Sequence, residues 1–118
     1  MLFLDDDILC DPGLVREHVA AHAGPGPIAA LGPVPTAAES PATLVTEWAK
    51  AGDAWMREIG PNQKPRWPLH AFLDANTSVP RSALESSGGY DEAFRTRENV
   101  DLALRLGPAH PFGALEAA

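Results

Sequence analysis

The most informative run of the sequence is Leu2-Phe3-Leu4-Asp5-Asp6-Asp7, in which three apolar residues are followed directly by three carboxylates. A short apolar run of this kind is typical of the end of a buried strand. In open α/β folds, ligands bind at the carboxyl ends of such strands. If the backbone stays extended, Asp5 and Asp7 point to the same side and offer oxygen ligands to Mg²⁺ or Mn²⁺. The alternative is a solvated turn in which an aspartate caps the next helix.

Turn residues and apolar periodicity divide the rest of the chain into short elements. An Asp-Pro or Ser-Pro pair is typical of a helix start, and a glycine pair is typical of a helix end. These signals predict helices over residues 11–22, 40–59, 80–87 and 98–106, and strands within residues 28–34 and 70–79. Strands that alternate with helices indicate an α/β domain, here a short mixed sheet flanked by helices.

Composition excludes several classes of protein. The 118 residues carry nine basic and sixteen acidic side chains, for a net charge of −7. A nucleic-acid partner requires a basic face, so this class is excluded. The single cysteine, Cys10, allows no disulfide within one chain, and a cytoplasmic location is the default expectation. No run is long enough to span a bilayer, and the apolar run Met1-Leu2-Phe3-Leu4 is too short for the apolar region of a signal peptide, so we expect none.

A second polar constellation occupies residues 76–106. It opens with Asn76-Thr77-Ser78 and continues through a short helix to Gly88-Gly89-Tyr90-Asp91-Glu92. It ends with Glu98-Asn99-Val100-Asp101 at the start of the last helix. Acidic residues in a first helical turn also complement the helix dipole, which explains Glu98 and Asp101 without any function.

His18 and His22 share one face of a predicted helix at i, i+4 spacing. A zinc pair is conceivable, but partial burial or solvation is favoured because no Glu-x-x-His pattern accompanies the pair.

The two constellations together resemble the family 2, GT-A type glycosyltransferases. The run from Leu2 to Asp7 is similar to the family's aspartate motif, and the segment from Asn76 to Arg105 is similar to its acceptor-side half. The ordered pair of motifs is much more specific than the aspartate motif alone. The resemblance implies a partial GT-A (Rossmann-like) domain over residues 1–106. Weak periodicity after residue 106 predicts a poorly ordered tail over residues 107–118.

The resemblance also implies an activity and a set of site residues. Such enzymes transfer a sugar from a nucleotide-diphosphate-sugar donor to an acceptor hydroxyl, with a divalent cation, Mn²⁺ or Mg²⁺, at the departing diphosphate. By position, Asp5 and Asp7 would bind the metal. Substrate-binding positions are Asp5, Asp6, Asn76, Ser78 and Asn99, and the catalytic candidates are Glu98 and Asp101.

Three departures from the family pattern keep alternatives open. Glu98-Asn99 stands where inverting members have Glu-Asp, so Glu98 or Asp101 substitutes as base, the outcome is retaining, or the chain is inactive. The aspartate motif follows Met1 directly, without the family's upstream nucleotide-binding segment, so we expect the isolated chain to have little activity. His110 follows Arg105 too closely to be the family's metal-binding histidine. The competing hypothesis is a non-catalytic remnant or small binding module that retains a carboxylate cluster. Separately, we expect an exposed sheet edge to promote self-association.

Overall fold

Short strands and helices alternate along the chain in the computed structural model, which describes residues 1–25, 29–62, 75–106 and 112–114. Within these ranges, the side chains of residues 54–62 and 112–114 are not described. In chain order the elements are β1 (Leu2–Leu4), α1 (Leu14–Ala21), β2 (Ala29–Leu31), α2 (Leu44–Asn62), β3 (Asn76–Ser78), α3 (Arg81–Ser86), α4 (Glu98–Leu106) and β4 (Phe112–Ala114). The predicted mixed α/β class is confirmed.

The strands form one mixed sheet in the order β1-β3-β2-β4. Strand β3 is antiparallel to both of its neighbours, pairing Leu4 with Asn76 on one side and Ala30 with Ser78 on the other. Strand β4 pairs with β2 in parallel. Among the described residues, β1 and β4 therefore lie at the two edges of the sheet, where unpaired backbone groups are expected.

One face of the sheet is apolar and carries the core. Cross-strand partners lie on the same face, so Phe3, Thr77 and Leu31 lie together on it. The buried cluster that packs there includes Leu31 from β2 and Leu102 from α4. Tyr90 joins the cluster and meets the Phe3 ring edge-on, with 5.5 Å between ring centroids. Helices α3 and α4 both contribute side chains to this core.

The opposite face of the sheet is polar beneath α1. Because side chains alternate along a strand, Asn76 and Ser78 point away from the apolar core. His18 of α1 lies within hydrogen-bond distance of both side chains. Helix α1 is thus held on the sheet by polar contacts in addition to its buried Leu14.

The start of α1 corrects the prediction that Asp11 is its N-cap. The N-cap position is Gly13, and no side chain caps the helix there. The Asp11 side chain instead accepts a hydrogen bond from the Gly13 backbone at 2.7 Å, in a turn that leads into the helix. A short carboxylate can satisfy its own downstream backbone in this way, so the same Asp-Pro signal also suits a turn.

The start of α2 likewise lies later than the Ser40-Pro41 pair predicts. The Thr43 hydroxyl accepts from the Thr46 backbone at 3.2 Å, and the Thr46 hydroxyl accepts from the Thr43 backbone at 2.8 Å. This reciprocal pair satisfies two backbone donors, as a capping box does. The helix then continues past the predicted end at residue 59 to Asn62.

The apolar side chains in the first turns of α2 are exposed. Leu44, Val45 and Trp48 have relative exposures of 92%, 73% and 79%. These side chains therefore make little contact with the described part of the chain.

The local signals around α3 and α4 are confirmed. Helix α3 ends before Gly88 and Gly89, whose φ angles of 84° and 69° lie in the left-handed region that glycine tolerates. Helix α4 has the predicted bounds. Of the predicted strand region 70–79, residues 70–74 lie outside the described residues and 76–78 form β3. The sequence pattern does not predict strand β4.

Candidate functional site

Strand pairing brings the two sequence constellations together at one end of the sheet. Leu4, the last residue of β1, pairs with Asn76, the first residue of β3. The Asp5 backbone then donates to the Ala75 carbonyl at 3.3 Å. Because the two strands are antiparallel, the carboxylates that follow β1 lie beside the residues that open β3. Two motifs far apart in the sequence thus become neighbours.

The three aspartates occupy a turn and do not continue the strand. The Ile8 backbone donates to the Asp5 carbonyl at 3.4 Å, and Asp6 and Asp7 form the turn between them. The extended backbone assumed for the pairing of Asp5 and Asp7 is therefore wrong. All three side chains are exposed, which avoids the cost of burying adjacent like charges. Asp5 and Asp7 nevertheless face one groove, whereas Asp6 does not line it.

This groove has a volume of about 920 Å³ and is bounded by two segments of the chain. One wall is the connection from β1 into α1, and the other is the loop of residues 33–40. Ala75 and Asn76 also line it, beside Asp5 and Asp7. Of the predicted site residues, the structure therefore brings together Asp5, Asp7 and Asn76.

The groove is acidic. Among the described lining residues, Asp11, Glu17, Glu39 and Asp53 add to the negative charge of Asp5 and Asp7, against a single basic residue, Arg16. A lining of this charge favours cations and disfavours free anions. Among the described residues, no three His, Cys, Asp or Glu side chains are grouped so as to hold a metal ion. Within this part of the chain, the described carboxylate, imidazole and thiolate side chains therefore do not by themselves form a metal-binding group.

The wall formed by residues 33–40 is fastened to α2 through Asp53. One carboxylate oxygen of Asp53 accepts from the Thr36 backbone at 2.8 Å and from the Thr36 hydroxyl at 2.9 Å. Hydrogen bonds to an ionised acceptor are stronger than those between neutral groups. The second wall is therefore tied to α2 through Asp53.

Below the groove lies a cluster of four polar side chains, His18, His22, Asn76 and Ser78, which we call the polar cluster. His18 Nε2 lies 2.8 Å from Asn76 Oδ1, and His18 Nδ1 lies 2.7 Å from Ser78 Oγ. His22 Nε2 lies 2.9 Å from the same hydroxyl. All but His22 are almost completely buried. The sequence predicts partial burial or solvation of the histidine pair; His22 is partly buried, whereas His18 is almost completely buried. The Ser78 hydroxyl lies beneath α1, and Ser78 is not among the described residues that line the groove.

His22 has a lowered pKa. Desolvation by burial is the main cause, and the positive charges of the Met1 ammonium group and of His18, when protonated, act in the same direction. The hydrogen bond with Ser78 opposes them. Near neutral pH, the half-buried His22 is therefore neutral and can share the Ser78 hydroxyl with His18.

The catalytic candidates of α4 lie apart from the groove lining. Neither Glu98 nor Asp101 is among the groove residues, and Asn99 uses its side-chain oxygen to accept from the Val100 backbone at 2.9 Å. Asp101 Oδ2 accepts two hydrogen bonds from Arg105, at 2.9 Å and 2.6 Å. Within the described part of the chain, Glu98 Oε2 is buried without a hydrogen-bond partner. Of the two carboxylates, Glu98 is thus the one not already committed to an ion pair.

Sequence reasoning missed the contacts that shape this site. The i, i+4 spacing of His18 and His22 shows that they share a helix face, but not that Ser78 lies against it. Thr36 and Asp53 carry no motif, so nothing in the sequence marks their pairing. Gly32, which allows Asn76 to pack closely, was visible only as part of a Gly-Pro turn signal.

No helix in the described residues combines the length and the apolar character needed to cross a membrane. In comparisons with known proteins, no family model, no curated protein and no solved structure matches the chain.

Proposed function

We propose that the chain belongs to a metal-assisted glycosyltransferase of the family 2, GT-A type. It would transfer a sugar from a nucleotide-diphosphate-sugar to an acceptor hydroxyl. The observation that supports this proposal is the pairing of Leu4 with Asn76, which places Asp5 and Asp7 beside Asn76 at one groove. If the resemblance holds, the aspartate motif and the acceptor-side segment act on the same substrates and must lie close together. The pairing of β1 with β3 brings the ends of the two segments side by side, which supports the proposal.

The donor set of the groove fits a hard divalent cation. Asp5 and Asp7 are exposed carboxylates, and carboxylate oxygens are ligands that Mg²⁺ and Mn²⁺ prefer. Two carboxylates leave most of the coordination shell to water and to diphosphate oxygens. When bound, the cation would neutralise charge on the departing diphosphate. The proposal therefore requires a cation that binds weakly alone and more tightly together with a diphosphate.

Glu98 is the preferred candidate for the base that accepts the proton of the acceptor hydroxyl. A general base needs a carboxylate oxygen that can accept a proton, and Glu98 Oε2 has no hydrogen-bond partner among the described residues. Asp101 is less suited because Arg105 donates to it twice. Asn99 is an amide and cannot act as a base near neutral pH.

A second candidate is a non-catalytic cation-binding module. The observation that favours it is that Glu98 and Asp101 do not line the groove that holds Asp5 and Asp7. A module of this kind would bind the cation and a diphosphate-bearing ligand without transferring a sugar.

Calorimetry with Mn²⁺ and inorganic pyrophosphate tests the metal site that both candidates share. Pyrophosphate supplies the missing oxygen ligands without assuming a particular nucleotide. We expect Mn²⁺ with pyrophosphate to bind the wild type more tightly than either component alone. Asp7→Asn should weaken this binding about tenfold, because it replaces a charged carboxylate ligand with a neutral amide.

Glu39→Gln is the matched control, because Glu39 lines the opposite wall and is exposed. It removes the same unit of charge from the groove without touching the proposed ligands, so its effect should be small. Equal binding by the wild type and Asp7→Asn would contradict the proposed site. An equal loss in both variants would mean that the groove attracts cations only through its general charge.

A further inference from the structure

Asn76 connects the two walls of the groove. Its side-chain oxygen lies 2.8 Å from His18 Nε2 on α1, and its side-chain nitrogen donates to the Pro33 carbonyl at 3.0 Å. Pro33 begins the wall of residues 33–40, and α1 continues from the other wall. The Asn76 side chain is only 3% exposed, so water does not compete for these bonds. The position of this one amide therefore relates the two walls to each other.

The hydrogen-bond roles in the polar cluster follow from the Asn76 amide. Because its nitrogen donates to Pro33, its oxygen faces His18, and His18 Nε2 must be the donor. In a neutral imidazole, Nδ1 is then the acceptor, and it takes its hydrogen bond from the Ser78 hydroxyl. The Ser78 oxygen in turn accepts from His22 Nε2. Every donor in this chain from His22 to Pro33 points in one direction.

We propose that His18 is a positioning residue of the groove, which fixes the Asn76 amide and through it the spacing of the two walls. This inference rests on the proposed function only in taking the groove as the place where the cation and the diphosphate bind. His18 does not contact the ligand itself. It acts through its Nε2–Asn76 hydrogen bond, and its Nδ1–Ser78 bond holds the ring in the required tautomer.

Two substitutions of His18 separate the bond to Asn76 from the bond to Ser78. The glutamine nitrogen extends about as far as Nε2, so His18→Gln retains a donor for Asn76 and loses the bond to Ser78. The asparagine side chain is shorter and reaches only the position of Nδ1, so His18→Asn retains the Ser78 contact alone. If His18 only stabilises the fold, both variants should lose similar amounts of ligand affinity. If His18 positions Asn76, the two variants should differ in ligand affinity.

Two measurements read out the effect. The first is nuclear magnetic resonance of the free protein, which follows the Asn76 side-chain amide protons and their exchange with water. The second is calorimetry with Mn²⁺ and pyrophosphate. We expect a protected Asn76 amide in the wild type and in His18→Gln, and a rapidly exchanging one in His18→Asn. We also expect binding about tenfold weaker in His18→Asn, and within about threefold of the wild type in His18→Gln.

His22→Gln is the control, because the hydrogen bond of His22 is with Ser78. It should leave both readouts close to those of the wild type. The inference would be overturned if the exchange rate of the Asn76 amide protons, or the binding constant for Mn²⁺ with pyrophosphate, were the same in His18→Asn as in the wild type. If His18→Asn does not fold, the tautomer of His18 in the wild type decides: Nε2–H supports the inference, and Nδ1–H overturns it. If the wild type binds no Mn²⁺ with pyrophosphate, the proposed function fails, and the amide and tautomer measurements still decide the role of His18.

Discussion

Gly32 lies where the polar cluster meets the second wall of the groove, and Gly32→Ala should destabilise the fold. A Cβ atom at residue 32 would lie 2.2 Å from the side-chain nitrogen of Asn76 and 2.7 Å from its Cγ atom. Ordinary contact begins at 3.4 Å, so the amide would have to move by about 1.2 Å. It is held at 2.8 Å from His18 and at 3.0 Å from the Pro33 carbonyl, so this displacement breaks at least one buried hydrogen bond.

The expected cost of Gly32→Ala combines two effects. A buried polar group left unsatisfied costs about 1–3 kcal/mol, and overpacking of a filled site costs about 1–3 kcal/mol. The lower entropy of the unfolded alanine chain offsets about 0.4–1 kcal/mol of this. The free energy of unfolding should therefore fall by about 3 kcal/mol, which lowers Tm by roughly 10 °C in a chain of this size.

Urea unfolding followed by circular dichroism measures the loss, and Gly52→Ala provides the matched control. Gly52 lies inside α2, where an added Cβ meets no atom within 4 Å. The same chemical change should there stabilise the protein by about 0.5–1 kcal/mol. A double-mutant cycle of Gly32→Ala with Asn76→Ala should show a coupling of about 2 kcal/mol, because removing the amide makes room for the Cβ atom. A stable Gly32→Ala protein, or additive effects in the cycle, would refute the close contact on which the estimate depends.

Two further predictions concern catalysis and pH. Where the wild type releases nucleoside diphosphate from a nucleotide sugar at a measurable rate, Glu98→Gln should lower that rate by about 10²–10⁴ if Glu98 is the base, while the exposed Glu85→Gln leaves it unchanged. An unchanged rate in Glu98→Gln would shift the role of base to Asp101 or elsewhere, and no release by the wild type from any of a panel of nucleotide sugars would favour the binding module. Because the folded-state pKa of His22 is depressed, the folded protein binds fewer protons than the unfolded chain. The contribution of the neutral His22 to the free energy of unfolding is therefore fully present above the ordinary histidine pKa of 6.5, and it is lost as the pH falls through the lower folded-state pKa. Urea unfolding at a series of pH values should show this loss in the wild type and a smaller one in His22→Gln, and an identical pH dependence in both would contradict it.

The sequence predicts the elements whose signals are local. Helix α4 has the predicted bounds, and the glycine pair after α3 takes the left-handed backbone that a helix end requires. These outcomes depend on residues a few positions apart, for which periodicity and turn chemistry are sufficient. Helix starts were less predictable, because Asp11 satisfies a turn and Thr43 supplies the cap that Ser40 was expected to provide.

The candidate site was predictable in composition but not in geometry. The sequence names Asp5, Asp7 and Asn76, yet it gives no register for the strands that bring them together. It also cannot show that His18 faces Asn76, because the two are 58 residues apart and neither belongs to a motif that requires the other. Long-range pairings of this kind arise from the packing of α1 on the sheet, which no local pattern encodes.

Three of the four buried polar side chains in the described part of the chain belong to the polar cluster. A small domain has little stability in reserve, and an apolar contact between α1 and β3 would avoid the need to satisfy several buried polar atoms. The opposite face of the same sheet is packed in that apolar way around Leu102. Because hydrogen bonds have directions, the polar face fixes the orientation of the Asn76 amide, which apolar packing alone would not do. Departures from consistent apolar packing are expected at functional sites, and this one lies directly beneath the groove that Asp5 and Asp7 line. The arrangement beneath α1 therefore supports the same location for the site as the aspartates do, and it does so independently of any motif.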